Sequence, residues 1–160
     1  MATLHLLCGK IAAGKSTLAD TLSAAPGTIR LNEDDWTATL FPGEIATIED
    51  FRVRTARIEA LLGPHVEALL RAGLDVVLDF HANTVARRAW MKGIVERSGA
   101  SHVLHWLDVP DATCLERLHA RNALGEHRYV VDDATFATFT RFFVPPGPDE
   151  GFDVVVHRPG

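Results

Sequence analysis

Cysteine, long apolar runs and excess positive charge are all scarce in this 160-residue chain, and each scarcity excludes something. The two cysteines, Cys8 and Cys114, stand far apart and match no disulfide or metal-ligand spacing. That usage predicts two reduced, buried thiols in a cytoplasmic protein. No apolar run approaches the ~18 residues that a membrane span requires. The N-terminus carries neither the basic flank nor the cleavage site of a signal peptide, because an apolar strand-like run starts almost at once. A net charge of −5 and a pI of about 5.9 give no global attraction to nucleic acid, leaving only a local basic groove as a route to one. Internal repeats, linkers and low-complexity segments are missing too. With 47% hydrophobic residues, the chain has material for one core and reads as a single domain over residues 1–160.

Against these absences stands one complete motif. Gly9-Lys10-Ile11-Ala12-Ala13-Gly14-Lys15-Ser16 satisfies G-x-x-x-x-G-K-S. The apolar run Thr3–Cys8 before it suits a buried strand, and Ser16–Leu22 after it suits a helix, which is the setting a phosphate-binding loop needs. Glycines let the backbone wrap closely round a triphosphate, and the helix N-terminus adds its dipole to the same anion site. Lys15 is positioned to reach the β- and γ-phosphates, and the Ser16 hydroxyl to join the shell of a Mg²⁺ ion, with Thr17 beside it. The expected ligand is a nucleoside triphosphate, ATP, held by residues 9–17.

The rest alternates strands and helices. Strands are expected at 27–32, 74–79, 102–107 and 152–157. Helices are expected at about 44–71 (broken or kinked at Gly63-Pro64), from Asn83 or Thr84 to Ser98, at 111–122 and at about 133–143. Repeated βα units predict an α/β fold with a parallel sheet, right-handed crossovers and helices on both faces. In such sheets ligands sit at the carboxyl ends of the strands.

That rule singles out polar residues at strand ends. Asp34 and Asp35 follow the second strand, where a carboxylate can take the proton of an attacking hydroxyl. One of them is also a candidate helix cap. Asp79 ends Val76-Val77-Leu78-Asp79, a Walker-B-like run, and is expected to hold Mg²⁺ or to contact substrate. His81 beside it reads as a hydrogen-bonding residue. Arg87 and Arg88 begin the next helix. Arg117 and Arg121 share one helix face, and Arg128 follows them. Guanidinium groups suit the charge that develops on a phosphoryl group in transfer, so Arg117 and Arg121 are expected at the nucleotide and Arg87 and Arg128 at the substrate. Residues 117–132 form a candidate lid. The other histidines have no ligand-like spacing, and Phe136, Phe139, Phe142 and Phe143 recur at helical spacing as core packing.

The loop, Asn32-Glu33-Asp34-Asp35-Trp36 and the stretch Asp79–Trp90 resemble the kinase module of polynucleotide 5′-hydroxyl kinases and a wider group of small P-loop kinases known as ATP-binding (AAA-like) proteins. The resemblance covers about residues 3–125. It implies a P-loop NTPase three-layer sandwich of nucleoside-monophosphate-kinase type, with a five-stranded parallel sheet in the order 2-3-1-4-5. It also implies Asp34 as general base and Arg121 as the lid arginine on the phosphates. Glu33 and Thr37 replace basic residues that hold nucleic-acid phosphate in those kinases, which turns the acceptor away from polynucleotides. The stretch Pro145–Phe152 is shared with the ATP-binding group. The expected activity is ATP- and Mg²⁺-dependent phosphorylation of a hydroxyl on a small molecule, nucleotide or nucleic-acid end, by a monomer or homodimer away from membranes. The alternative is a regulatory module that binds and hydrolyses ATP without an acceptor.

Overall fold

The computed structural model describes residues 1–125 and 130–159. Five strands, β1 (Thr3–Cys8), β2 (Thr28–Asn32), β3 (Asp75–His81), β4 (Ser101–Leu107) and β5 (Val154–His157), pair in parallel in the order β2-β3-β1-β4-β5. Between them run α1 (Lys15–Ser23), α2 (Glu33–Leu40), α3 (Ile48–Arg71), α4 (Val85–Ser98), α5 (Asp111–Leu124) and α6 (Asp133–Phe142). This is the parallel α/β sandwich and strand order that the sequence led us to expect. No described helix is long and apolar enough to cross a membrane.

Side-chain alternation along the central strands builds the layers. Leu4, Leu6 and Cys8 of β1, with Val76, Leu78 and Phe80 of β3, pack against Ile58, Leu62, Val66 and Leu70 of α3 and Met91, Ile94 and Val95 of α4. Leu7 and Val77 point the other way, onto Ala19 of α1. A third cluster joins Ala13 of the loop and Leu107 to Cys114 and Leu118 of α5 and Phe136 of α6. Both cysteines are free and buried, and burial pushes the Cys8 thiol up to about 11, so it stays protonated.

Helix boundaries follow local chemistry. Thr47 accepts from Asp50 N–H (3.0 Å) while the Asp50 carboxylate accepts from Thr47 N–H (3.2 Å), a capping box that starts α3 at Ile48 rather than at Glu44. The break expected at Gly63-Pro64 is absent: α3 runs unbroken with Pro64 inside it. Its apolar face continues across the proline through Ile58, Leu62, Val66 and Leu70, and Ala60, whose carbonyl the proline leaves unpaired, is exposed to water. Thr84, not Asn83, caps α4 by accepting from Arg87 N–H (3.2 Å).

The β1–β3 ladder is interrupted near its carboxyl end: Leu6 pairs with Leu78, but Leu7 pairs with His81. Asp79 thus lies at the gap between the two central strands, beside the phosphate loop that leaves β1.

Candidate nucleotide and acceptor site

The phosphate loop turns on two left-handed residues, Ala12 (φ 64°) and Gly14 (φ 107°), the latter being the N-cap of α1. An alanine at φ > 0 is uncommon and marks a backbone held in place by its surroundings. Asn83 supplies part of that hold. Its side chain accepts from Gly9 N–H (2.9 Å) and donates to Gly9 C=O (2.8 Å), tying the end of β3 to the start of the loop. Gly9 allows close packing: a Cβ there would sit 3.2 Å from Leu107 Cβ and 3.3 Å from Ala13 Cβ. Lys10 to Thr17 line a cavity of about 1210 Å³, and Gly9 is not part of its lining. Inside the loop, Lys15 Nζ donates to the carbonyls of Gly9 and Lys10 (the latter at 2.9 Å). Burial pushes the Lys15 ammonium below its ordinary value, and the charges of Asp79 and Asp34 oppose that shift.

The carboxylates separate by role. Asn32 caps α2, accepting from the N–H groups of Asp34 (3.0 Å) and Asp35 (3.2 Å), so neither aspartate is the cap. Asp34 lines the cavity, whereas Asp35, one position on along α2, does not. Asp79 also lines it, with its carboxylate 11% exposed and Oδ2 accepting from Arg30 Nε (3.2 Å) and Nη2 (2.6 Å). Burial raises the Asp79 carboxyl above its usual range against the pull of Arg30. Ser16 and Asp79 both line the cavity and carry hard oxygen donors of the kind suited to Mg²⁺.

The arginines sort just as clearly. Arg117 and Arg121 both line the cavity, and Arg117 Nη1 donates to Ala13 C=O (3.2 Å) of the loop. The Nε of Arg121 is buried with no hydrogen-bond partner among the described residues, and burial lowers its pKa while Asp34 opposes the shift. Arg87, expected at the substrate, does not line the cavity. Its guanidinium is buried and fork-bonded to Glu33 (2.8 and 2.5 Å) and to Glu59 (2.8 Å). Burial works against the Arg87 charge, and Glu33 and Glu59 more than restore it. The acid at position 33, which stands where the resembling kinases are basic, thus neutralises an arginine of the chain itself. Thr37, at the other substituted position, donates its hydroxyl to Glu33 C=O (3.0 Å). Arg88 is 0% exposed; it donates to Ala82 C=O (2.9 Å) just after β3 and holds the C-terminal segment through Val144 C=O (2.7 Å) and Glu150 (2.8 Å). Arg128 lies outside the described residues.

Sequence reasoning missed several residues. Asn83 is named there only as a cap, and nothing in its local pattern signals a bond to Gly9 across the fold. Phe51 is not singled out, yet it lines the cavity and stacks on His81 with ring centroids 5.8 Å apart. Of the four phenylalanines expected in the core, Phe136 is buried there and Phe143 packs against the core while also lining the cavity, whereas Phe139 and Phe142 line the cavity. His5, His105 and His157 form a hydrogen-bonded line across β1, β4 and β5, at 3.1 and 3.0 Å. Their separation in sequence hides it.

Solved structures of the same fold include a sugar kinase from a Janibacter species, at 17% identity over 99% of this chain and 86% of that one, with a TM-score of 0.67. The APS kinase of Mycobacterium tuberculosis, in complex with AMPPNP and APS, is 18% identical over 99% and 88%, with a TM-score of 0.62. A gluconokinase from Sinorhizobium meliloti is 15% identical over 97% and 82%, with a TM-score of 0.63. At these identities the likeness establishes the fold, that of P-loop kinases. No curated protein matches the sequence. A family model for an AAA domain does match, over residues 4–146, from β1 through the phosphate loop to the segment that Arg88 anchors, and the chain belongs to that AAA domain family.

Proposed function

We propose that the protein is an ATP-dependent phosphotransferase acting on the hydroxyl of a small molecule. The observation that carries this reading is that one cavity is shared by the phosphate loop, the Asp34 carboxylate and the paired arginines of α5. A carboxylate in the cavity that holds the phosphate loop can take the proton of an attacking acceptor hydroxyl. ATP enters with its phosphates in the loop, where residues 10–17 and the α1 N-terminus receive their charge. Lys15 exchanges its loop carbonyls for phosphate oxygens, and Arg117 and Arg121 close on the phosphates from α5.

Asp34 accepts the acceptor's hydroxyl proton as its oxygen forms the new bond to the γ-phosphorus and the bond to the ADP oxygen breaks. Asp35, outside the cavity, supports Asp34 as the base of the pair. Ser16 and Asp79 are the residues that would hold Mg²⁺, with Arg30 fixing the Asp79 carboxylate through Oδ2. The ion's chemistry there is neutralisation of phosphate charge. Arg87 braces Glu33, the residue preceding Asp34, and so sets the position of the first turn of α2.

The test is an acceptor screen with ATP labelled in its terminal phosphate. Transfer of label to an added hydroxyl compound by the wild type, and none by a folded Lys15→Ala protein, is the expected result. Label released only as inorganic phosphate, whatever is added, would sink the phosphotransferase reading.

A further inference from the structure

The wall of the cavity beside Asp34 differs in chemistry from the phosphate loop. Phe51 of α3 stacks on His81 at the end of β3, with planes 21° apart, and Phe139 of α6 meets Phe51 edge-on at 6.1 Å. Ile48 lines the same cavity one turn before Phe51. Three rings from three elements thus make one side of the space that Asp34 faces.

Positive charge is spent elsewhere. The five lysines and arginines that line the cavity among the described residues are Lys10 and Lys15 of the loop, Arg117 and Arg121 of α5, and Arg158 beyond β5. Lys10 is paired with Asp111, Arg117 leans on Ala13, and Arg158 pairs with Asp108 (3.3 Å). Arginines nearer the aromatic wall are neutralised: Arg87 by Glu33 and Glu59, Arg54 by Glu44 at 3.5 Å, Arg30 by Asp79 and Asp20. His81 adds no charge, because burial and the nearby charges of Arg87 and Lys15 push its pKa well below the usual value. Both its ring nitrogens are buried with no hydrogen-bond partner among the described residues, and Nε2 stays 3.9 Å from Glu33. A buried imidazole left in this state costs free energy that a ligand hydroxyl or ether oxygen would recover.

We infer that the phosphoryl acceptor is a hydroxyl compound with a flat apolar ring and no anionic group, its ring lying against Phe51 and Phe139 and its polar edge between His81 and Asp34. The inference rests on the phosphotransferase reading for the fate of the hydroxyl. It goes beyond that reading in naming the acceptor's class. A phosphate or carboxylate on the acceptor would find no unneutralised cation among the described residues of that wall, whereas an apolar ring removes aromatic surface from water at no electrostatic cost.

The experiment is ligand-observed NMR titration of the full chain loaded with a non-hydrolysable ATP analogue. Benzyl alcohol and naphthylmethanol are compared with para-(hydroxymethyl)benzoate and gluconate. The ring alcohols should bind about tenfold or more tighter than the anionic compounds, and Phe51→Ala should weaken them by about tenfold, as expected for loss of an aromatic contact together with its buried area. Phe51→Leu keeps the α3 packing and should lose about half of that effect on a logarithmic scale, with ATP affinity unchanged in both variants. Equal or tighter binding of the anionic compounds, no binding of either ring alcohol, or indifference to Phe51→Leu and Phe51→Ala would each overturn the inference. Incubation with labelled ATP then separates the two ideas. Ring alcohols that bind as expected, with label released only as inorganic phosphate whatever hydroxyl compound is added, leave the subsite standing and remove the phosphotransferase reading. Label on gluconate and on neither ring alcohol keeps the phosphotransferase and removes the subsite.

Discussion

Replacing Asn83 by alanine removes two hydrogen bonds, 2.9 and 2.8 Å long, that join β3 to the first residue of the phosphate loop. Each is worth about 1 kcal/mol net, and leaving the Gly9 N–H unpartnered beneath the loop, while Lys15 still donates to the Gly9 C=O, adds a desolvation cost of ~1 kcal/mol. The expected loss is therefore about 2–3 kcal/mol, or a fall in melting temperature on the order of 4–12 °C for a domain of this size. Nucleotide affinity should fall too, by roughly tenfold, because the loop must then be ordered by the ligand. Asn83→Asp makes the test sharper. Its carboxylate still accepts from Gly9 N–H but faces Gly9 C=O with no proton, and it places a negative charge beside the phosphates. Asn83→Asp should thus bind ATP more weakly than Asn83→Ala, whatever its stability. Thermal melting by circular dichroism and fluorescence titration with a labelled ATP analogue supply both readouts. An Asn83→Ala protein with wild-type melting and wild-type affinity would refute the claim that this side chain holds the loop.

Other substitutions report on the chemistry. Asp34→Asn should keep ATP affinity and lose ~10²-fold or more in transfer rate, while Asp35→Asn stays within a few-fold of wild type; steady-state kinetics showing the reverse pattern would exchange their roles. Arg121→Ala should lower the transfer rate more than ATP affinity, and Arg121→Lys should restore little, since a point charge does not reproduce a planar fork; wild-type kinetics for Arg121→Ala would take α5 out of the reaction. His105 should make stability depend on pH, because burial, then the charges of His5 and His157, push its pKa from 6.5 down to about 4. The unfolded chain then binds the proton and the folded chain does not, so stability is full above pH 6.5 and declines as pH falls towards 4. The loss is on the order of 3 kcal/mol at most, and urea melts of His105→Phe should be flatter across that window than those of the wild type.

Much of the fold is legible in the chain because its signals are local. The loop motif, the apolar runs at β1 and β3, and the end of α4 at Ser98 are set within a few residues of themselves, and the structure places each where the pattern predicts. Where local reading fails, a longer-range interaction has won. The helix pattern read across Pro64 predicts a break, but α3 gains more by keeping one continuous apolar face on the sheet than it loses in one backbone hydrogen bond. The Thr47–Asp50 box is a sequence-level signal that was open to reading and shifts the helix start on its own.

For the site, the division falls between what binds phosphate and what surrounds it. Recognition of a triphosphate needs contiguous backbone N–H groups and one lysine, so the phosphate site proposed at residues 10–17 is legible in their order alone. Which carboxylate faces the cavity, which arginine is available and which aromatic is wall rather than core depend on how distant segments pair. Asp34 and Asp35 are adjacent and chemically alike, and only the orientation of α2, set by the Asn32 cap and the Glu33–Arg87 fork, separates them. Arg87 and Arg121 both read as cations on helices, but Glu33 and Glu59 come from elsewhere in the chain to neutralise the first. Charge pairing and burial act through space, over separations that no local pattern encodes, and so the chemistry of the acceptor wall was decided only when α2, α3, α4 and α6 came together.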